Sequence, residues 1–214
     1  FTCAIILAVI ADISSKKSRL LTYWICFATV LLVSAFSGLR DSSVGYDFLF
    51  YCAGHLKAAR SLGFANFIGY VGGGEWAYAL IIYLVGLASG SYNFLMFILS
   101  FITSFMAMLA AINLRDRVPI CISFSIFLFF ILVPSYNLIR QSLAVSGVWL
   151  AFSIYKGKNG GLMYWLMSLI CFGFHKSSIL AIIVVWVSHR FSFAPQQTRR
   201  KVIVLGMFAS FALF

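Results

Sequence analysis

Charge is scarce in this chain. Only 10% of the 214 residues are Asp, Glu, Lys or Arg, five of them acidic, whereas 63% are hydrophobic. Soluble domains carry about 25% charged residues, so a soluble fold is excluded and the chain reads as an integral membrane protein. Cys3, Cys26, Cys52, Cys121 and Cys171 stand singly, with no C-x-x-C or paired spacing, which excludes a zinc ribbon and a disulfide framework. H-E-x-x-H, G-x-S-x-G, Walker and dinucleotide fingerprints are also missing, so no metal or cofactor is expected. Bases exceed acids to give a formal charge of +11. The Lys and Arg are nevertheless scattered among short breaks, not gathered into a stripe, so they read as orientation signals and not as a nucleic-acid footprint.

What the chain does have is apolar length. Apolar stretches run roughly over 1–11, 20–37, 76–89, 92–113, 119–135, 141–155, 162–174, 178–188 and 202–214. In lipid only helices or closed barrels satisfy the backbone, and continuous apolar runs lack the alternation of a barrel. The expected fold is therefore all-α, a polytopic multi-span bundle forming one transmembrane domain over residues 1–214. Phe1 is not Met and Phe214 lies inside an apolar run, as expected of a piece clipped at both ends from a longer protein.

Orientation follows from where the bases fall. Lys16, Lys17 and Arg19, then Lys156 and Lys158, then Arg190, Arg199, Arg200 and Lys201 mark three cytoplasmic breaks. The loop 38–75 balances Arg40, Lys57 and Arg60 against Asp41, Asp47 and Glu75 and is the expected outer loop. Within it Phe48, Tyr51, Cys52, Leu56 and Ala59 share one face, as in a helix lying in the membrane interface. Arg115 and Arg117 create a conflict, because a cytoplasmic position for them leaves one crossing too many between residues 75 and 113. Either 76–89 is re-entrant or tilted, or the Arg115-Asp116-Arg117 turn is external and residues 162–188 cross once.

Ionisable groups beside lipid are expensive, at least about 2.5 kcal/mol for an Arg on insertion scales, and tend to mark substrate, ion or proton paths. Arg40, Asp41 and Asp47 follow a span directly; Arg40 offers a planar fork for phosphate oxygens, or pairs with a neighbouring carboxylate as a structural turn. Arg140 lies just past Pro134, where a restarting helix and a guanidinium together favour an anion; the rival reading is a snorkelling anchor. Gln141 beside it is placed to orient the Arg or the ligand. His175, followed by Lys176, is either a proton-transfer group near neutral pH or a buried structural histidine.

Three segments then share an order and spacing: G-L-R-x-x-x-V-G-x-D-x-x-x-Y from Gly38 to Tyr51, I-R-Q-S-L-A from Ile139 to Ala144, and F-H-K-S-S-I-L from Phe174 to Leu180. Together they resemble the EpsG family, Wzy-like polymerases of bacterial exopolysaccharide and O-antigen, and Glu75 to Tyr78 also looks like a family feature. The resemblance implies a GT-C-like glycosyltransferase of the bacterial inner membrane. It would join undecaprenyl-pyrophosphate-linked glycan units on the periplasmic side, in contact with membrane lipid and other polysaccharide assembly proteins. By motif match Arg40, Asp47, Arg140, Gln141 and His175 carry over as the functional set. The roles expected are catalytic for Arg140, His175 and Asp47, and substrate-binding for Arg40, Asp41, Tyr51, Glu75, Gln141 and Lys176. An O-antigen ligase-type transferase and a lipid-linked oligosaccharide transporter or flippase stand as alternatives.

Overall fold

The computed structural model describes residues 1–41, 44–45, 51–155 and 161–192, and among these every regular element is helical. In chain order they are α1 (Thr2–Ser15), α2 (Arg19–Gly38), α3 (Ala53–Ala58), α4 (Phe64–Val71), α5 (Trp76–Ala88), α6 (Tyr92–Asn113), α7 (Ile120–Phe127), α8 (Ile139–Ser153), α9 (Gly161–Phe174) and α10 (Ser178–Ser192). Two of them, α2 and α6, are long and apolar enough by themselves to cross a membrane, with mean hydropathies of 1.9 and 2.3.

Close packing comes from small residues placed at helical spacing. Ala4, Ala8 and Ala11 form a buried stripe on α1, and Ala107 and Ala111 do the same on α6. Gly38 of α2 leaves no room for a side chain, since a Cβ there would stand 2.9 Å from Phe97 Cβ. Small residues let backbones approach in lipid, where apolar contact alone gives little preference for helix over lipid. Buried hydroxyls turn back onto their own helices: Thr29 donates to Ile25 O, Ser34 to Val30 O and Thr103 to Leu99 O. Large apolar side chains such as Trp24, Phe36, Phe130 and Leu180 point outward, the arrangement expected where the surroundings are lipid.

The bundle has two chemically distinct ends. Asp12 of α1 accepts from the Ile120 and Cys121 N–H groups that open α7, both at 2.8 Å, and Asn113 at the end of α6 donates to Ser153 at the end of α8. Tyr155, just past α8, stacks on His189 near the end of α10. This end therefore gathers Lys16, Lys17, Arg19, Arg115, Arg117 and Arg190. At the opposite end Asn93 donates to Gly38 O at 2.6 Å and the Ser37 and Tyr136 hydroxyls meet at 3.4 Å. Arg40, Glu75, Arg140 and His175 belong to that end.

This arrangement removes the conflict in the expected topology. The Arg115-Asp116-Arg117 turn shares an end with Lys16, so the two lie on one side, opposite Arg140 and His175. Residues 162–188 form two helices that meet at His175 and do not cross once. Helix α5 both begins at Glu75 and hands over to α6 at the site end, so it does not run from one end of the bundle to the other. Lying there, it receives α3: Cys52, Leu56 and Ala59 are buried in one cluster with Ile82 and Val85, and a Cβ on Gly86 would meet Ala59 Cβ at 2.7 Å. The face expected to meet lipid from the interface thus packs against α5. Phe48 and Asp47 lie outside the described residues.

Candidate functional site

Pro134 starts the construction. Without an N–H it cannot continue the helical ladder, and α7 loosens into a wide π turn at Leu128–Leu132 and a 3-10 turn at Pro134–Tyr136 before α8 restarts at Ile139. Arg140 thereby falls in the first turn of α8, where the helix dipole is already positive. A cation there needs an anion. Glu75, the only glutamate of the chain, supplies it, with Oε2 2.7 Å from Arg140 Nη1.

Glu75 itself precedes α5, but its carboxylate does not cap that helix. It is turned toward Arg140 and toward His175, whose Nδ1 lies 2.8 Å from Oε1. A carboxylate only accepts, so Nδ1 is the donor to Glu75, and in the uncharged form of the ring Nε2 is the acceptor nitrogen. The side chains of Glu75, Arg140 and His175 are 10%, 22% and 30% exposed, shielded yet reachable from the bundle end. His175 terminates α9, and the short turn His175-Lys176-Ser177 leads into α10, with Ser178 N–H donating to His175 O. The separation of α9 from α5 is fixed nearby: a Cβ on Gly173 would lie 2.6 Å from Trp76 Cε2.

Around this triad are aromatic rings and further cations. The Arg140 guanidinium sits 4.7 Å from the Tyr51 ring centroid and 5.9 Å from that of Tyr78, a cation–π geometry. Tyr78 is fully buried and its hydroxyl meets Cys52 Sγ at 3.1 Å. Lys176 lies over Gly74, where a Cβ would come within 2.7 Å of Nζ. Arg40 is held separately, 4.3 Å from the Tyr136 ring and 2.7 Å from Met96 Sδ. Burial pulls its pKa below the usual guanidinium value, partly offset by Tyr136 and Cys52. The segment after α2 crosses at the same place, since a Cβ on Gly45, with φ of +109°, would meet Tyr136 O.

Of the residues singled out from sequence, Arg140, His175, Glu75 and Tyr51 come together, Lys176 stands beside them, and Arg40 is at the same end in its own niche. Gln141 and Asp41 are exposed. Asp47 is outside the described residues. Sequence reasoning missed Tyr78 and His55 as parts of the site; the Glu75 to Tyr78 segment carried a signal for the first, and nothing did for the second.

Residues 23–214 match the model of the EpsG family. The chain belongs to the EpsG family. Membership makes it a membrane protein of polysaccharide polymerase type, in keeping with its apolar helices. No curated protein and no solved structure gives a significant match. Within this EpsG-family chain the segments Gly38–Tyr51, Ile139–Ala144 and Phe174–Leu180 all lie inside the matched range. Their described parts converge on one end of the bundle.

Proposed function

We propose that this EpsG-family protein is a multi-pass inner-membrane glycosyltransferase that lengthens a polysaccharide from undecaprenyl-pyrophosphate-linked units. The observation that carries the reading is Glu75 bridging Arg140 and His175 at the end of the bundle remote from the basic turns. Those turns favour the cytoplasmic side by the positive-inside tendency, which puts the triad on the periplasmic side. The growing glycan on its lipid pyrophosphate is the donor, and a hydroxyl of a new lipid-linked unit is the acceptor.

In the transfer the acceptor oxygen bonds to the anomeric carbon as the carbon–oxygen bond to pyrophosphate breaks, and the leaving pyrophosphate keeps the electron pair. The acceptor proton passes to His175 Nε2, with Glu75 holding the imidazole tautomer and orientation, the logic of a base positioned by a third group. Arg140 stabilises charge developing on the leaving group. Among the described residues Arg40, Lys57, Arg60, Arg140 and Lys176 outnumber Asp41 and Glu75 at this end, an excess of positive charge suited to a diphosphate.

The test is polymerisation by the purified full chain in lipid nanodiscs, supplied with the host's lipid-linked repeat unit. Arg140→Ala is expected to reduce chain extension by at least about 100-fold, the scale of a lost transition-state charge partner. Long chains at the wild-type rate from Arg140→Ala protein would overturn the reading. Attachment of finished chains to another acceptor, without extension, would favour a ligase instead.

A further inference from the structure

A second group of side chains adjoins the triad and has no part in the proton and phosphate chemistry. His55 of α3 is enclosed by three tyrosines, with ring centroids 5.7 Å from Tyr70, 6.0 Å from Tyr78 and 6.4 Å from Tyr51. It is 8% exposed, and its Nδ1 is buried without a hydrogen-bond partner among the described residues. A buried polar nitrogen left unpaired is unfavourable, so the position calls for a partner. Two of the three enclosing rings, Tyr51 at 41% and Tyr70 at 56% exposure, stand open to the surroundings.

We infer that Tyr51, Tyr70 and His55 form a sugar subsite that receives a ring of the glycan while its pyrophosphate lies at Arg140. This rests on the reading of the triad as a polymerase centre. The chemistry selects the ligand class. An acyl chain would cover the rings but leave the histidine nitrogen unpaired, and a phosphate belongs with the Arg140 guanidinium. A pyranose supplies both requirements, C–H faces to lie against tyrosine rings and hydroxyls to bond the imidazole. Tyr51 is shared, one ring lying against His55 and beneath Arg140, so a ring seated there has its anomeric end near the cation. Tyr51 and Tyr70 are both exposed, and the subsite requires one of them to turn aside to admit a hydroxyl to Nδ1.

The experiment uses the full chain in nanodiscs and the oligosaccharide freed by mild acid from the host's lipid-linked repeat unit, which carries no phosphate. Saturation-transfer NMR is expected to show magnetisation passing from aromatic protons to sugar ring protons. Tyr70→Ala should weaken the effect at least about fivefold, Tyr70→Phe should retain it, and His55→Gln should weaken it with the fold kept. In the polymerisation assay Tyr70→Ala should raise KM about tenfold with little change in kcat, the pattern of lost uniform binding. Polymerisation by the wild type with saccharide binding indifferent to both Tyr70→Ala and His55→Gln would overturn the subsite alone. Saccharide binding that depends on Tyr70, in a wild-type protein that cannot polymerise, would overturn the polymerase reading and leave the subsite standing.

Discussion

At the scale of single residues the proposed chemistry turns on one carboxylate serving two partners. Glu75→Gln keeps the shape and one acceptor oxygen but loses the charge that holds the His175 tautomer and balances Arg140. Extension is expected to fall by about 100-fold or more, in line with general-base contributions of 10²–10⁴, with normal membrane insertion; a variant at the wild-type rate would remove Glu75 from the mechanism. Glu75→Ala should add a stability loss of roughly 2 kcal/mol from the abandoned Arg140, less than for a fully buried pair because the site is partly open. His55 gives a pH signature. Burial first, then Arg140, lower its pKa below 6.5, against a smaller opposite effect of Glu75. The folded protein therefore favours the neutral ring, and this contribution is present above pH 6.5 and is lost as pH falls through the lowered folded value. Thermal unfolding between pH 7.5 and 5 should show a smaller acid loss in His55→Gln than in the wild type; identical slopes would show that His55 has no such preference. Arg140 and His175 were legible in the sequence because charge beside lipid is conspicuous. Their pairing was not, because Glu75 stands 65 and 100 residues away and only tertiary packing joins them.

At the scale of elements, the site depends on how closely α9 approaches α5. Gly173 makes that approach possible, with Trp76 Cε2, Trp76 Nε1 and Ala77 Cβ all within 3 Å of where a Cβ would lie. Gly173→Ala must push the α9 end outward, two residues before His175, and overpacking of this kind destabilises by about 1–3 kcal/mol. The expected outcome is a lower thermal midpoint together with reduced extension, since the His175 to Glu75 contact lengthens. Adding Trp76→Leu to Gly173→Ala should recover part of both losses, as neighbours in contact are not additive; strictly additive losses would show that the approach does not set the contact. The break at Pro134 could be read from the sequence because its cause is local, a missing N–H. The behaviour of α5 could not, because thirteen apolar residues look alike whether they traverse a bilayer or pack under a loop. The same ambiguity sent the apolar face of α3 to lipid in expectation and to α5 in the fold: amphipathic spacing identifies a buried face without naming what buries it.

For the whole molecule, the separation of basic turns from the triad is the property on which direction of action depends. If Lys16, Lys17, Arg19, Arg115, Arg117 and Arg190 face the cytoplasm, the path from α2 through α5 to α6 requires that both ends of α5 lie outside. Cysteines placed at exposed Ser89, Asp116 and Ser177 in a background without the five native thiols test this in intact cells. Ser89→Cys and Ser177→Cys are expected to react with a membrane-impermeant maleimide before permeabilisation, and Asp116→Cys only afterwards. Ser89→Cys reacting only after permeabilisation, with Ser177→Cys reacting before it, would mean that α5 crosses, contrary to the Asn93 to Gly38 hydrogen bond that joins the start of α6 to the end of α2. Reaction of Asp116→Cys alone from outside would invert the molecule, placing Arg140 and His175 in the cytoplasm. A lipid-linked unit already carried to the outer leaflet could not then reach them, so this one pattern of labelling decides whether the triad can meet its proposed substrate at all.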